Sequence, residues 1–136
     1  MKLNFKKYPS AELIMRVWLG CALISHSVFK IFNPQIMERF CSAVEKLGFP
    51  LPYIFGYLAK GSEFFGGILL IIGLFTRTSS VFIFLTMLVA AFMSHEGDIF
   101  GEAEMAFTYL IIALYFIFNG SGKYSLDRFI ESKNEL

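Results

Sequence analysis

The sequence predicts an all-α integral membrane protein: a four-helix bundle with an amphipathic interfacial helix between the first and second membrane spans. Hydrophobic residues make up 56% of the 136-residue chain and charged residues 17%, whereas a soluble domain has about 25% charged residues. Four apolar stretches each approach the roughly 20 residues that a helix needs to cross a bilayer. These stretches are residues 12–32, 54–75, 78–94 and 103–119.

The length and the charge of the chain limit the number of domains and the kinds of partner that it can have. The chain is predicted to be one membrane domain, 1–136, because no length remains for a second domain. A formal net charge of +1 gives no basic surface for nucleic acid. The basic start (Lys2, Lys6 and Lys7) precedes an apolar run, as in a signal peptide. We reject that reading because the run has spanning length, contains Arg16 and lacks a small-residue cleavage site.

The first span is expected to end at Asn33, where a second helix begins. Asn is a favoured N-cap residue, and Pro34 occupies the first helical position, where proline is favoured. This spacing predicts an amphipathic helix that is too polar to span the bilayer, and Gly48 suits its C-terminus. Its apolar residues recur every three or four positions and are Ile36, Met37, Phe40, Val44 and Leu47.

The second span is expected to begin near Pro52. Its small residues Ser62, Gly66 and Gly73 recur on one side at spacings of four and seven. Small residues allow membrane helices to approach closely, so this side is predicted to meet another helix. Residues 76–78 are predicted to form a very short turn, which makes spans two and three a tight antiparallel pair.

The remaining elements are an acidic connection, the fourth span and a tail. Residues 95–102 form the acidic connection. The fourth span is expected to end at Gly120 and to be followed by a turn and a short surface helix that Ser125 caps. The side that holds both termini and the 76–78 turn carries most of the Lys and Arg residues. Both termini are therefore predicted to be cytoplasmic.

Ionisable residues inside or beside the spans are the candidate functional residues, because a charge at membrane depth costs several kcal/mol unless it is paired or hydrated. Alternating spans place His26, Lys30 and Glu63 near the outer side, with His95 and Glu104 at a similar depth. Lys30 is expected to pair with Glu63 or Glu104. His26 is the group best suited to moving protons near neutral pH. The alternatives are that Lys30 reaches the outer headgroups and that Glu104 satisfies a helix dipole.

Other polar residues are predicted at the inner side or outside any site. The inner set is Arg16, Arg77 and Asp127. Cys21 and Cys41 are expected to be small packed residues without a disulfide. The acidic loop carries no family-type ligand spacing, so we predict no metal site.

Several motifs occur in register along the chain, and together they resemble the DoxX family of small four-helix membrane proteins over about residues 12–127. One departure is Ser27, where the family often has glycine after the histidine of the first span. The matching segments are Arg16, His26-Ser-Val-Phe-Lys30, Glu63-Phe-Phe-Gly66-Gly, Leu74-Phe-Thr-Arg77 and Gly120-Ser-Gly-Lys-Tyr-Ser-Leu-Asp127.

The resemblance implies a membrane partner of redox or sulfur-handling proteins, since the family is named after a subunit of a thiosulfate:quinone oxidoreductase. We do not transfer the thiosulfate activity, because no cofactor site is evident and both cysteines are expected to be structural. By position, the resemblance indicates catalytic candidates and cofactor-binding candidates. The catalytic candidates are His26, Lys30, Glu63 and Glu104, and the cofactor-binding candidates are Arg16, His26, Lys30, Glu63 and Arg77.

Three functions are open alternatives, and the residues do not decide whether the chain is itself an enzyme. The first is a quinone-interacting redox subunit of the bacterial inner membrane, in which Phe-rich helices hold the quinone and a redox partner supplies electrons. The second is a non-enzymatic assembly or binding subunit that docks a partner protein through the amphipathic helix and the acidic loop. The third is a solute or ion pathway, which requires a homo-oligomer.

Overall fold

A computed structural model describes residues 11–136, which fold into α-helices without a β-strand in that range. The basic residues Lys2, Lys6 and Lys7, on which part of the orientation prediction depends, lie outside the described residues. The helices are α1 (Ala11–Ile31), α2 (Pro34–Lys46), α3 (Pro52–Ile72), α4 (Thr76–Val89), which continues as a π-helical segment (Ala90–Ser94), α5 (Glu104–Asn119) and α6 (Leu126–Asn134).

Three described helical stretches are long and apolar enough to cross a membrane: α1, α3 and the continuous stretch formed by α4 and the π-helical segment. In each, 33% of the most apolar window is buried inside the protein, so most of its surface is available to lipid. The fourth apolar helix, α5, has 16 residues and is therefore about 24 Å long. The predicted class, an all-α integral membrane four-helix bundle, is confirmed.

The bundle is built by sequential packing: α1 lies on α3, α3 on α4, and α4 on α5, while α2 covers one end of α3. The contact between α1 and α5 is sparse by comparison. The first turns of α1, the α3–α4 turn and α6 meet at one end, which we call the inner end. The outer end holds α2 and residues 95–103. Core residues include Leu19, Leu23, Leu70, Ile83, Ala91 and Ala113.

A pair of glycines brings α1 and α3 into backbone contact. A Cβ atom placed on Gly20 would lie 2.6 Å from the carbonyl oxygen of Gly67, and one placed on Gly67 would lie 2.8 Å from the carbonyl oxygen of Gly20. Carbon atoms do not approach oxygen so closely, so any larger residue would push the two helices apart. This is the close small-residue packing by which membrane helices associate.

The predicted row of Ser62, Gly66 and Gly73 does not form one interface. Gly66 faces Ile83 of α4, whereas Gly73 lies beyond the end of α3 and adopts a left-handed conformation with φ of 72°. The prediction fails because glycine ends the helix here, as it commonly does in the left-handed conformation.

The turn between α3 and α4 also differs from the prediction. Residues 76–78, predicted to be the turn, form the first turn of α4, and the connection is residues 73–75. Both Gly73 and Phe75 have positive φ angles, 72° and 47°. Thr76 can begin the helix because a distant carboxylate, that of Asp127, accepts hydrogen bonds from the backbone at this point.

The predicted start of the amphipathic helix is confirmed. The side-chain oxygen of Asn33 accepts hydrogen bonds from the backbone N–H groups of Gln35 and Ile36, at 3.1 and 3.3 Å. The apolar face of α2 then packs on α3, and its Cys41 Sγ lies only 2.6 Å from where a Cβ on Gly56 would be. The absence of a side chain at Gly56 therefore lets α2 lie close against α3.

In the π-helical segment at the end of α4, the donor and the acceptor of a backbone hydrogen bond are five residues apart, whereas they are four apart in an α-helix. The N–H of His95 donates to the carbonyl of Ala90, at 3.2 Å. Ala91, within the segment, is fully buried. Such segments widen a helix locally and frequently occur near functional sites.

Candidate functional site

A buried ion pair within α3 is the centre of the outer site. The ammonium nitrogen of Lys60 lies 2.9 Å from each carboxylate oxygen of Glu63. Lys60 is 6% exposed and Glu63 is 5% exposed. Burial of two charges is tolerated only when their geometry is favourable, and this two-oxygen contact meets that condition. The same ammonium lies 4.7 Å from the ring centre of Phe40 on α2, within the range of a cation–π interaction.

The predicted partner of Glu63 was wrong. In the described residues Glu63 pairs with Lys60, and no ion pair joins Lys30 to Glu63 or to Glu104. Lys60 is one helical turn before Glu63 on the same helix, whereas Lys30 is on α1 and half-buried. Residues three positions apart on a helix are neighbours, so the Lys60–Glu63 spacing was a signal that sequence reasoning missed.

Two neighbouring helices surround the ion pair. Lys30 of α1 lies near enough to be repelled by Lys60 and attracted by Glu63, and Tyr109 of α5 lies near enough to Glu63 to interact with its charge. Tyr109 is 8% exposed, and its ring centre lies 6.2 Å from that of His26 on α1. Lys30 and Tyr109 therefore lie near the Lys60–Glu63 pair, whereas His26 is exposed and lies against Tyr109.

An open groove of about 410 Å³ lies between α1 and α5, next to this cluster. Tyr109 belongs to both the groove and the cluster. Trp18 is 62% exposed and forms part of the groove wall. Glu104, in the first turn of α5, is exposed and lines the groove instead of contacting the ion pair. The other lining residues are Gly101, Glu102, Met105 and Thr108.

His95 does not join the shared outer site. Its Nδ1 lies 3.9 Å from a carboxylate oxygen of Glu102, and the His95 side chain is half-buried whereas that of Glu102 is largely exposed. It belongs to the outer loop, where Asp98 also accepts a hydrogen bond from the backbone N–H of Glu102. The expectation that His95 and Glu104 share a site with Glu63 is corrected, because the helix ends hold both residues at the surface.

At the inner end, Arg16 is a buried cation with backbone partners. It is 1% exposed and donates hydrogen bonds to the carbonyl oxygens of Ser121 and Tyr124, the latter at 2.7 Å. These bonds tie α1 to the segment before α6. The guanidinium is thus engaged with the protein's own backbone, which does not suit the predicted cofactor-binding role of Arg16.

Asp127 has the complementary arrangement. Its carboxylate accepts hydrogen bonds from the backbone N–H groups of Phe75 and Thr76, at 2.8 and 3.0 Å. Its own N–H donates to the carbonyl of Gly73, at 2.9 Å. The negative charge of this carboxylate also interacts favourably with the positive end of the α4 helix dipole. The predicted surface helix α6 is confirmed, with Ser125 accepting a hydrogen bond from the N–H of Arg128.

Arg77, the third predicted inner residue, is exposed. It faces a cleft of about 970 Å³ between the first turn of α4, residues 119–123 and α6, which we call the inner cleft. Lys123 and Arg128 also line this cleft. The structure therefore separates Arg77 from Glu63 by the length of a span, as the sequence predicts.

The two cysteines differ in environment. Cys21 on α1 is exposed and Cys41 on α2 is buried, both as free thiols. Burial raises the pKa of the Cys41 thiol. Within residues 11–136, no three His, Cys, Asp or Glu side chains gather in a way that could hold a metal ion.

Comparison with known proteins identifies relatives across nearly the whole chain. A family model described as DoxX matches residues 11–96. An uncharacterized protein of Haemophilus influenzae is 32% identical, over 91% of this chain and 94% of its own. The putative oxidoreductase CatD of Bacillus subtilis is 28% identical, over 92% and 90%. The inner membrane protein YqjF of Escherichia coli is 26% identical, over 89% and 92%. No solved structure matches the chain.

Proposed function

Because the chain belongs to the DoxX family, we propose that it is the membrane subunit of a redox system and interacts with a quinone. The observation that carries the proposal is the buried Lys60–Glu63 pair with Lys30 and Tyr109 near it, and with His26 against Tyr109. A buried ion pair adds little net stability, whereas ionisable groups at membrane depth commonly serve a site. The name putative oxidoreductase, carried by one relative, supports a redox role.

The groove between α1 and α5 has the features that a quinone ring requires. Its volume of about 410 Å³ falls within the range of small-molecule sites. Trp18 and Met105 offer apolar surface to a ring, and the groove is open, so a lipid-soluble molecule can enter from the bilayer. We assign Tyr109 and His26 as the hydrogen-bond donors for the two ring oxygens.

Reduction of a quinone to a quinol consumes two electrons and two protons. A partner redox protein supplies the electrons, and this chain's residues hold and move the protons. The ring of His26 lies against that of Tyr109, so its two nitrogens can relay a proton toward the groove through this tyrosine. Glu63 is the next proton carrier beyond Tyr109, and Lys60 balances its charge when Glu63 is ionised.

Quinone retention tests this proposal. We expect quinone to co-purify with the wild-type protein from membranes and to fall several-fold in His26→Ala and in Glu63→Gln. The double variant Lys60→Met/Glu63→Leu removes both charges of the pair together, so its loss of quinone would not come from a stranded buried charge. His95→Ala is the matched control and should retain quinone. The proposal fails if no quinone co-purifies and added quinone leaves the melting temperature unchanged.

We also propose the bacterial inner membrane as the location, with both termini in the cytoplasm. The relative called an inner membrane protein supports the location. Arg77, Lys123 and Arg128 at the inner end support the orientation, because cytoplasmic segments are enriched in Lys and Arg. A C-terminal alkaline phosphatase fusion should be inactive and a C-terminal fluorescent protein fusion bright. The reverse pattern would overturn the orientation.

A second candidate function is a non-enzymatic assembly subunit that docks a partner protein at the outer loop. Phe100 is 91% exposed in this loop, with the exposed acidic residues Glu96 and Asp98 nearby in sequence. An exposed aromatic ring among carboxylates suits a partner with an apolar, basic surface. Phe100→Ser with Glu96→Lys should reduce partner recovery by affinity purification, while Lys60→Met/Glu63→Leu leaves it intact. The opposite result would favour the quinone role.

A further inference from the structure

The inner cleft carries an inference that does not depend on the quinone proposal. We infer that it binds the phosphate of an anionic phospholipid headgroup, with Arg77 and Lys123 as the cations. The cleft lies at the far end of the bundle from the Lys60–Glu63 pair and shares no residue with the groove between α1 and α5.

The charges of the inner cleft are unbalanced. Within residues 11–136, Arg77 and Lys123 have no carboxylate within ion-pair distance. Arg128 is partly balanced, since its Nη1 lies 3.5 Å from Glu131. The carboxylate of Asp127 accepts hydrogen bonds from the first backbone N–H groups of α4, so it is committed to that helix. Two cations without a carboxylate partner therefore face the cleft, and the ammonium of Lys123 lies 5.7 Å from the ring centre of Tyr124.

The Arg77 guanidinium lies against Gly120, which leaves room for it. Its Nε lies 3.2 Å from where a Cβ on Gly120 would be, so a side chain there would contact the guanidinium. Gly120 has φ of 74°, a conformation that favours glycine. The flat guanidinium can therefore lie along this backbone and present its N–H groups to two oxygens of one phosphate.

A buried hydroxyl adds a donor at the same place. Thr76 lines the cleft and is fully buried, and its hydroxyl oxygen has no hydrogen-bond partner among the described residues. The hydroxyls of Ser79 and Ser80 on the same helix are also unpartnered, but Thr76 alone of the three lines the cleft, where its proton is free for an acceptor. A phosphate oxygen is such an acceptor.

The position of α6 identifies the source of the phosphate as a lipid. None of its residues is buried, and Leu126, Phe129 and Ile130 are between 40% and 55% exposed. An amphipathic helix at the end of a membrane bundle places such residues among the lipids and its polar side at headgroup depth. A net anionic lipid is expected because a zwitterionic headgroup carries a cation that Arg77 and Lys123 would repel.

Native mass spectrometry of the purified protein can test the inference, with dioleoylphosphatidylglycerol and dioleoylphosphatidylcholine as probes. We expect phosphatidylglycerol to be retained preferentially and Arg77→Gln/Lys123→Gln to lower that preference about tenfold. The matched control, Arg39→Gln/Lys46→Gln, removes two exposed cations from α2 at the outer end and should keep the preference. Arg77→Lys should keep only part of it, because the charge remains but the two-oxygen contact is lost.

Three outcomes would overturn the inference. The first is equal retention of the two lipids, and the second is an equal loss of the lipid preference in the α2 control. The third is that inorganic phosphate stabilises the protein as much as phosphatidylglycerol does, which would indicate a soluble anion as the ligand. If Arg77→Gln fails to fold, Lys123→Gln decides alone, since Lys123 is exposed in a connecting segment. Quinone content in the same samples separates this inference from the proposed function, because neither substitution touches the groove.

Discussion

The outer and inner ends of the bundle both bury charged side chains, but they satisfy them in different ways. At the inner end, Arg16 and Asp127 bond to backbone groups of other segments. At the outer end, Lys60 and Glu63 satisfy one another on a single helix. A charge held by the backbone ties elements together. A charge held by another side chain can change its protonation together with that partner, and this suits a site.

The largest expected effect comes from breaking the outer pair on one side. Glu63→Leu leaves the Lys60 ammonium buried without a carboxylate, so we expect the free energy of unfolding to fall by about 4 kcal/mol. Lys60→Met/Glu63→Leu removes both charges and should recover to within about 1 kcal/mol of the wild type. Chemical unfolding in detergent micelles measures both. Equal destabilisation of the single and double variants would show that the pair is a structural tie like Arg16.

The inner end should respond differently to the loss of its cation. Arg16→Met removes two charge-assisted hydrogen bonds and leaves two carbonyl groups without their donor, which should cost about 3 kcal/mol of unfolding free energy. No second substitution can restore this loss, because the partners are backbone atoms. Arg16→Lys should retain part of the wild-type stability. Wild-type stability in Arg16→Met, by the same unfolding measurement, would contradict the assignment of Arg16 as a tie.

A smaller effect is expected from Asp127, which caps α4. Asp127→Ala should lower the free energy of unfolding by about 1 kcal/mol, the usual contribution of an N-cap. Hydrogen exchange should accelerate locally at the amides of Phe75 and Thr76. The control is Glu131→Ala, which removes an exposed carboxylate from the same helix. If both variants exchange at the wild-type rate, Asp127 does not cap α4.

The smallest effect is a change in thiol reactivity at the outer end. In a Cys21→Ser background, Cys41 should react slowly with maleimide near neutral pH, because burial raises its pKa and reduces the thiolate fraction. The rate should rise as the pH approaches that raised pKa. Glu63→Leu should accelerate labelling, since α2 packs beside the ion pair, whereas Asp127→Ala should not. Equal acceleration by both would show that the two ends are not independent.

Much of the fold could be predicted because it depends on local patterns. Apolar length located the spans, and Asn33 with Pro34 located the start of α2. The α3–α4 turn could not be located in this way. Thr76 begins a helix because Asp127, about 50 positions later, accepts its N–H, and a local window cannot contain that partner.

Part of the candidate site could also be predicted from local patterns. His26, Lys30 and Glu63 could be grouped from the alternation of spans. Lys60 was overlooked although it stands one turn before Glu63, a spacing that sequence alone reveals. Tyr109 could not be found from sequence, because its approach to His26 depends on how α5 packs against α1.

The π-helical segment at the end of α4 has a consequence for the outer loop that follows it. Such a turn holds one residue more than an α-helical turn. Deleting one residue between Ala90 and Ser94 should therefore convert the segment into a regular α-helical turn and leave the direction of the outer loop nearly unchanged. The same deletion within Thr76–Val89 has no wide turn to close and should rotate His95 by about 100°, away from Glu102.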